Sequence, residues 1–360
     1  MGASLHGMLG RSGAPRRRVV AVYAFLAAFN LIAWGLALVA ASAYPLLLPT
    51  AFLAYTFGLR HGVDADHIAA IDNSTRKLMQ DGQRPVAVGL FFSLGHSTVV
   101  VALTLLVAVF AGIASDLPAM QRVGSLIGTA VSAAFLLAIG VVNLVVLLDI
   151  YGMFRKVSTG GAYSEESLEE FLDNRGLLAR LLRPAMRMIR RSWHMYPLGF
   201  LFGLGFDTAS EVALLGLAAT SGAGHIPVAL ILILPVLFAA GMSTVDATDG
   251  ILMLGAYGWA YVKPIRKLYY NLNITLVSVV VAFGIGAVEI LGIVADEFGL
   301  RGGIWDVVTG LDFGVIGLAI IGVFAASWLV STVIYRWRGY DALDVVPSSK
   351  PSDWEDGIAA

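Results

Sequence analysis

The sequence predicts an all-α, polytopic membrane protein with eight transmembrane helices and both termini cytoplasmic. Three observations carry that expectation. Apolar residues make up 58% of the 360 positions and charged residues only 14%, where a soluble protein holds roughly 25% charged. The apolar residues gather into stretches of about 20 residues, the length that crosses a bilayer core. Lys and Arg, in turn, fall almost wholly on one alternate set of connecting segments.

Taken in order, the chain opens with a basic cytoplasmic N-terminus, 1–18, in which Arg11 and Arg16-Arg17-Arg18 precede the first apolar stretch. This imitates a signal peptide, but the apolar part is too long and no small-residue cleavage site follows cleanly, so it reads as an uncleaved span. Spans one to four, at 19–41, 46–70, 86–113 and 123–149, form a first transmembrane half over 19–149. A cytoplasmic loop, 150–195, separates it from spans five to eight at 196–220, 226–256, 273–295 and 312–335, within 196–335. A cytoplasmic tail occupies 336–360. With the N-terminus inside, the inner segments collect 21 Lys and Arg, the outer ones only Arg122 and Arg301, and Arg60 alone stays at membrane depth.

Smaller features refine this plan. In the loop, Ser164-Glu-Glu-Ser-Leu-Glu-Glu-Phe-Leu reads as a capped helix start. Leu177 to Ile189, with Arg180, Arg183 and Arg187 followed by Arg190 and Arg191, suits either the anionic inner leaflet or a solvated helix that fixes orientation. Pro227 and Pro235 point to a broken or tilted sixth span. The tail from Tyr340 has a disordered composition. No short repeat is evident, and two halves of four spans share no clear similarity. Cysteine is absent, which excludes disulfides and thiolate metal sites. No P-loop occurs, so the chain does not bind ATP in that way.

Four polar clusters interrupt the apolar spans, where ionisable groups cost several kcal/mol and read as functional by default. Span two holds Arg60-His61-Gly62-Val63-Asp64-Ala65-Asp66-His67. At about 100° per residue of a regular helix, His61, Asp64 and His67 share one face, Asp66 points away as a supporting group, and Arg60 can pair with Asp64. Gly62 allows either local unwinding or close helix approach. Span three contributes Gly95-His96-Ser97-Thr98. Span five carries Asp207 and Glu211 at i,i+4, which repel unless a cation or proton lies between them. Span six places Met242, Asp246 and Asp249 on one stripe, Met242 suiting either packing or a soft metal contact.

Asp64, Asp66, Asp207, Glu211, Asp246 and Asp249 are six carboxylates near membrane depth against the single Arg60. Raised pKa values, water or bound cations must relieve that excess, and a cation path does so best. Asp149 and Glu289 stand apart and are left out of the expected site. Imidazole with carboxylate is a donor set for divalent nickel, cobalt or zinc, so His61, Asp64 and His67, completed or tuned by His96, are the expected metal residues, with Asp66 beside them in support. Arg60, Asp207, Glu211, Met242, Asp246 and Asp249 are the expected supporting or ion-path residues.

The stretches RHGVDADHI (60–68), FSLGHSTVV (92–100), LGFDTASE (204–211) and GMSTVDATD (241–249) together resemble the NiCoT family of nickel/cobalt transporters, over about residues 19–335. One departure is Gly62, where that family commonly has Ala. The resemblance implies metal recognition by His61, Asp64, Asp66 and His67, with selectivity tied to His96. It also implies uptake of Ni2+ and/or Co2+ by a secondary permease of a prokaryotic cytoplasmic membrane. Related exporters often carry a His-rich cytoplasmic stretch, whereas 150–195 holds only His194, which favours uptake. The expected partners are the divalent ion and the lipid bilayer, with no nucleic acid, no prosthetic group, no enzymatic activity and no sequence feature that sets an oligomeric state. The alternatives are an exporter of the same fold, a metal-binding subunit that does not transport, and a membrane metallohydrolase; a hydrolase needs a positioned general base, which the sequence does not name.

Overall fold

The computed structural model describes residues 13–109, 117–158, 188–205, 227–260 and 264–337. Among them the chain is helical, without strands: α1 (Gly13–Ala43), α2 (Leu47–His61), α3 (Ala65–Gln80), α4 (Val88–Val109), α5 (Leu117–Ser158), α6 (Met195–Gly203), α7 (Val228–Ile231), α8 (Ile233–Ala260), α9 (Pro264–Phe298), α10 (Ile304–Thr309) and α11 (Phe313–Trp337). A single 3-10 turn, Ser192–His194, leads into α6. The loop motif at 164–172, the basic stretch as far as 187 and the tail from 340 lie outside the described residues.

Among the described residues, six segments are long and apolar enough to cross a membrane: Arg16–Ala43, Val88–Leu106, Arg122–Gly152, Val228–Gly255, Leu272–Phe298 and Phe313–Ser331. They coincide with expected spans one, three, four, six, seven and eight. The fifth is described only as α6, with 206–220 outside the described residues. The second differs from expectation. Its apolar run is not one helix but two, α2 and α3, of 15 and 16 residues.

The break lies in the His/Asp segment. α2 ends at His61, and Asp64 takes an extended conformation (φ −63°, ψ 146°) to start α3. The turn satisfies its own backbone: the N–H groups of Gly62, Val63 and Asp64 donate to the carbonyls of Gly58, Arg60 and His61. Gly62 is needed here for close approach, since a Cβ would fall 2.8 Å from Val245 Cβ on α8. Of the two uses expected of this glycine, unwinding and close approach, the structure has both. The regular-helix arrangement of His61, Asp64 and His67 therefore does not hold.

α3 is the second departure. The expected inner loop at 71–85 is largely a helix, and Asp72, Asn73, Ser74, Thr75, Arg76 and Lys77 are all buried. Arg76 donates to Thr275 Oγ1, the Ile274 carbonyl and Ser278 Oγ of α9. Asp72 accepts from Ser278 and lies 3.7 Å from the same guanidinium. Asn143 on α5 donates to Asn73. Buried charges persist only when paired and hydrogen-bonded; α3 pairs Arg76 with its own Asp72, and α9 supplies the hydrogen bonds.

Basic residues mark one end of the bundle. Val19 and Val22, just after Arg16–Arg18, pack with Met79, Val86 and Leu254, and Gln83 beside Arg84 donates to the Arg190 carbonyl. At the other end Arg122 lies 3.6 Å from Glu297.

Candidate metal centre

The break places His61 on the last turn of α2 and His67 on the first turn of α3, and α4 brings His96 between them. The three imidazoles are buried, with ring centroids 4.7 Å (His61–His67), 4.7 Å (His61–His96) and 4.9 Å (His67–His96) apart. One nitrogen from each ring lies within 4.8 Å of the others. The Phe92 ring stands perpendicular to that of His67, with centroids 4.8 Å apart, and the Phe238 centroid lies 5.4 Å from that of His61.

Carboxylates orient two of the rings. Asp64 Oδ2 lies 3.1 Å from His61 Nδ1, and Asp246 lies 3.3 Å from His67 Nδ1 through either oxygen. A carboxylate at Nδ1 fixes the Nδ1–H tautomer and leaves the Nε2 lone pair as donor, the usual support of a metal-bound histidine. His61 Nε2 faces His96 Nε2 at 3.0 Å. Among the described residues His67 Nε2 is buried without a hydrogen-bond partner. Convergent imidazole nitrogens backed by carboxylates suit a divalent transition ion.

Helix ends add to the field. The C-terminal carbonyls of α2 favour a cation, while the positive N-terminus of α3 is offset by Asp64 and Asp66.

The supporting residues separate. Arg60 does not pair with Asp64 as expected: its Nη2 donates to both oxygens of Asp312, at 2.7 and 2.8 Å, because the break turns Asp64 toward His61. Asp312 precedes α11, outside the span. The backbone N–H of Val315, and after it the Arg60 guanidinium, hold its pKa below the ordinary carboxylate value, against an opposing effect of burial. Met242 is buried in the apolar cluster of Ala54, Leu237 and Phe238. Asp249 Oδ2 is buried without a partner among the described residues. Asp207 and Glu211 lie outside the described residues. The count of one arginine against six carboxylates also changes, because Arg76 and Lys77 are buried in the same bundle.

A cavity of about 1010 Å3 reaches the centre. Arg60, His61, Asp64, Asp66 and His96 line it, together with Thr129 and Ser132 of α5, Glu289 and Glu297 of α9, and Asp312. Arg122 and Arg301, the two basic residues of the expected outer segments, also line it. Glu289 is buried and accepts from Ser132 at 2.6 Å. Sequence reasoning set Glu289 aside as solitary and had no reason to consider Asp312. The Asp72/Arg76 pair had a signal, opposite charges at i,i+4, hidden by taking the span to end at residue 70.

The family model described as high-affinity nickel-transport protein, NicO, matches residues 47–334. The chain is 54% identical to a protein named high-affinity nickel transport protein of Cupriavidus necator, over 93% of this chain and 96% of that one. It is 51% identical to the nickel transporter NicT of Mycobacterium tuberculosis, over 79% and 77% of the two chains. With the cobalt transport protein NhlF of Rhodococcus rhodochrous it shares 42% identity over 77% and 79%. No solved structure matches the chain.

Proposed function

Since the chain belongs to the NicO family of high-affinity nickel-transport proteins, we propose that it imports Ni2+ and/or Co2+ as a secondary permease of the cytoplasmic membrane, with eight spans and both termini inside. It is a multi-pass membrane protein of a transporter family, not of an enzyme family. The ion is the substrate, held by Nε2 of His61, His67 and His96, with Asp64 and Asp246 as the carboxylates that orient the first two rings. Asp66 draws the ion from the cavity, and Asp207, Glu211 and Asp249 balance its charge along the path. Met242 packs the wall.

The observation that carries this reading is the meeting of three histidines from α2, α3 and α4, of which His61 and His96 line the cavity. Access to the centre from the outer side is supported by the cavity's lining, which includes Arg122 and Arg301 and so faces away from the basic end of the bundle; the inward direction is supported by the lack of a His-rich stretch in 150–195, which holds only His194. Cobalt is supported by the identity to a relative named a cobalt transport protein. An inside-negative potential favours entry of a 2+ ion by about 4.6 kcal/mol per 100 mV, which suffices for accumulation without ATP.

Proteoliposomes holding only this chain, with labelled Ni2+ or Co2+ outside, test the proposal. Time-dependent, ionophore-sensitive accumulation is expected, and His61→Ile should abolish it while the protein still inserts. Normal uptake by that variant would refute the site, and no uptake by the parent chain would favour a non-transporting subunit.

A further inference from the structure

Two close helix crossings among the described residues have the same construction. On α2 and α8, a Cβ at Gly58 would lie 2.0 Å from the Phe238 carbonyl oxygen, and one at Gly241 would lie 2.6 Å from that of Tyr55. On α6 and α4, a Cβ at Gly199 would lie 2.0 Å from the Phe92 carbonyl oxygen, and one at Gly95 would lie 2.0 Å from that of Tyr196. In each crossing, each glycine meets the carbonyl three residues before its opposite glycine. One crossing becomes the other when Tyr55 and Gly58 are exchanged for Tyr196 and Gly199, and Phe92 and Gly95 for Phe238 and Gly241.

The sequence repeats around these points, a pattern too sparse to notice without the contacts. Phe92-x-x-Gly95-x-Ser97-Thr98-Val99 on α4 matches Phe238-x-x-Gly241-x-Ser243-Thr244-Val245 on α8, a shift of 146 residues. Under the same shift of 146, Thr129-x-Val131-Ser132 and Ile139-Gly140-x-Val142 on α5 match Thr275-x-Val277-Ser278 and Ile285-Gly286-x-Val288 on α9. The contacts between α5 and α9 respect the shift: Gly140 approaches Ala282, and Gly286 approaches Leu137 and Ala133.

Directions are opposed throughout. Gly58 lies by Phe238 and Gly62 by Val245, so α2 and α8 run together; Gly199 lies by Phe92 and Gly203 by His96, so α4 and α6 run together. α4 and α8 are antiparallel, with Gly89 against Asp246 and Ser93 bonded to Ser243. α5 and α9 are antiparallel as well, with Ser132 at Glu289 and Arg122 at Glu297. Each helix of the set α2, α4, α5 thus runs opposite to its counterpart in α6, α8, α9, the arrangement of inverted repeats.

The counterparts differ in what covers them. Thr129 and Ser132 line the open cavity. Thr275 and Ser278, their matches at the opposite end, are buried and hold Arg76. Asn143, the match of Glu289, is buried against Asn73 of the same helix α3.

We propose that α2, α4, α5 and α6, α8, α9 are inverted three-helix repeats whose exchange of conformation alternates access to the histidine centre, and that the contacts of α3 with α9 and α5 (Arg76 with Thr275 and Ser278, Asn73 with Asn143) are its closed inner gate. In the opposite state Thr275 and Ser278 face an inner cavity while Thr129 and Ser132 are covered. The proposal rests on the reading of the chain as a carrier.

The chain has no cysteine of its own, so introduced thiols report without a background. In intact cells a membrane-impermeant thiol reagent should label Thr129→Cys and leave Thr275→Cys unlabelled. In inside-out vesicles turning over Ni2+, Thr275→Cys should become labelled and labelling of Thr129→Cys should fall. Oxidising the pair Asn73→Cys and Asn143→Cys to a disulfide should abolish uptake, with return on reduction, while the detergent-solubilised protein still binds Ni2+ at equilibrium. Thr275→Cys unreactive from the inner side during turnover, or full uptake by the cross-linked pair, would overturn the gate. Loss of equilibrium Ni2+ binding by the parent chain would instead overturn the metal reading.

Discussion

His61 Nε2 and His96 Nε2 lie 3.0 Å apart on different helices, both buried. Two lone pairs at that distance repel unless a proton or a cation is shared between them. Two nitrogens each about 2.1 Å from one metal ion are about 3.0 Å apart when they subtend a right angle and about 3.4 Å apart at a tetrahedral angle. The spacing is of the order that two nitrogens sharing one ion, or one proton, require.

Asp64→Asn and Asp246→Asn should each weaken Ni2+ binding by about 10- to 100-fold, because each carboxylate fixes the tautomer of a neighbouring histidine. Titration calorimetry on the solubilised protein reads the change. An unaltered Kd in both variants would separate these aspartates from the ion.

Gly317→Ala should destabilise the protein by about 1–3 kcal/mol, the usual cost of overpacking. A Cβ there would fall 1.6 Å from the Val63 carbonyl oxygen, at the break between α2 and α3. Unfolding in detergent should show the loss, whereas Gly322→Ala, at a helical position that meets nothing within 4 Å, should hold or slightly raise stability. Equal effects at both positions would contradict the docking of α11 on the break.

The contribution of Asp312 should vanish only in acid. Its pKa is lowered in the folded protein, so its stabilisation is fully present above the unfolded value of about 3.9. It fades as pH falls through the lower, folded value. The difference in melting temperature between the parent chain and Asp312→Asn should be constant from pH 7 to pH 5 and shrink below about pH 4. A difference that grew on acidification would reverse the sign.

Arg76→Ala should cost about 3–5 kcal/mol, since it leaves the buried Asp72 without its cation. Asp72→Asn combined with Arg76→Met should recover part of that loss by removing both charges. Thermal unfolding of the two variants gives the comparison. A double variant less stable than Arg76→Ala alone would show that Asp72 is held chiefly by Ser278.

Hydropathy was enough to locate six of the helices, because length and apolarity alone decide whether a segment can lie in lipid. It failed at α3, since a helix enclosed by other helices need not be apolar, and Asp72 to Lys77 resemble a loop when only the sequence is read. The histidines were legible as costly residues in apolar surroundings. Their geometry was not, because a regular helix cannot anticipate the extended Asp64 that carries His61 and His67 onto separate helices. Asp312 was invisible for another reason: it lies 252 residues from Arg60, and no local pattern spans that distance.

The partners of Arg76 on α9 follow it by 199 and 202 residues. At about 5–20 residues per second of synthesis, the arginine waits on the order of 10–40 s for the helix whose hydroxyls and carbonyl accept its N–H groups. During that interval α3, with its Asp, Arg and Lys, cannot settle in lipid alone and must stay in water or within the insertion machinery. Its arrival is a late step of biogenesis, and shortening the chain before residue 275 should leave a product that proteases cut near Arg76.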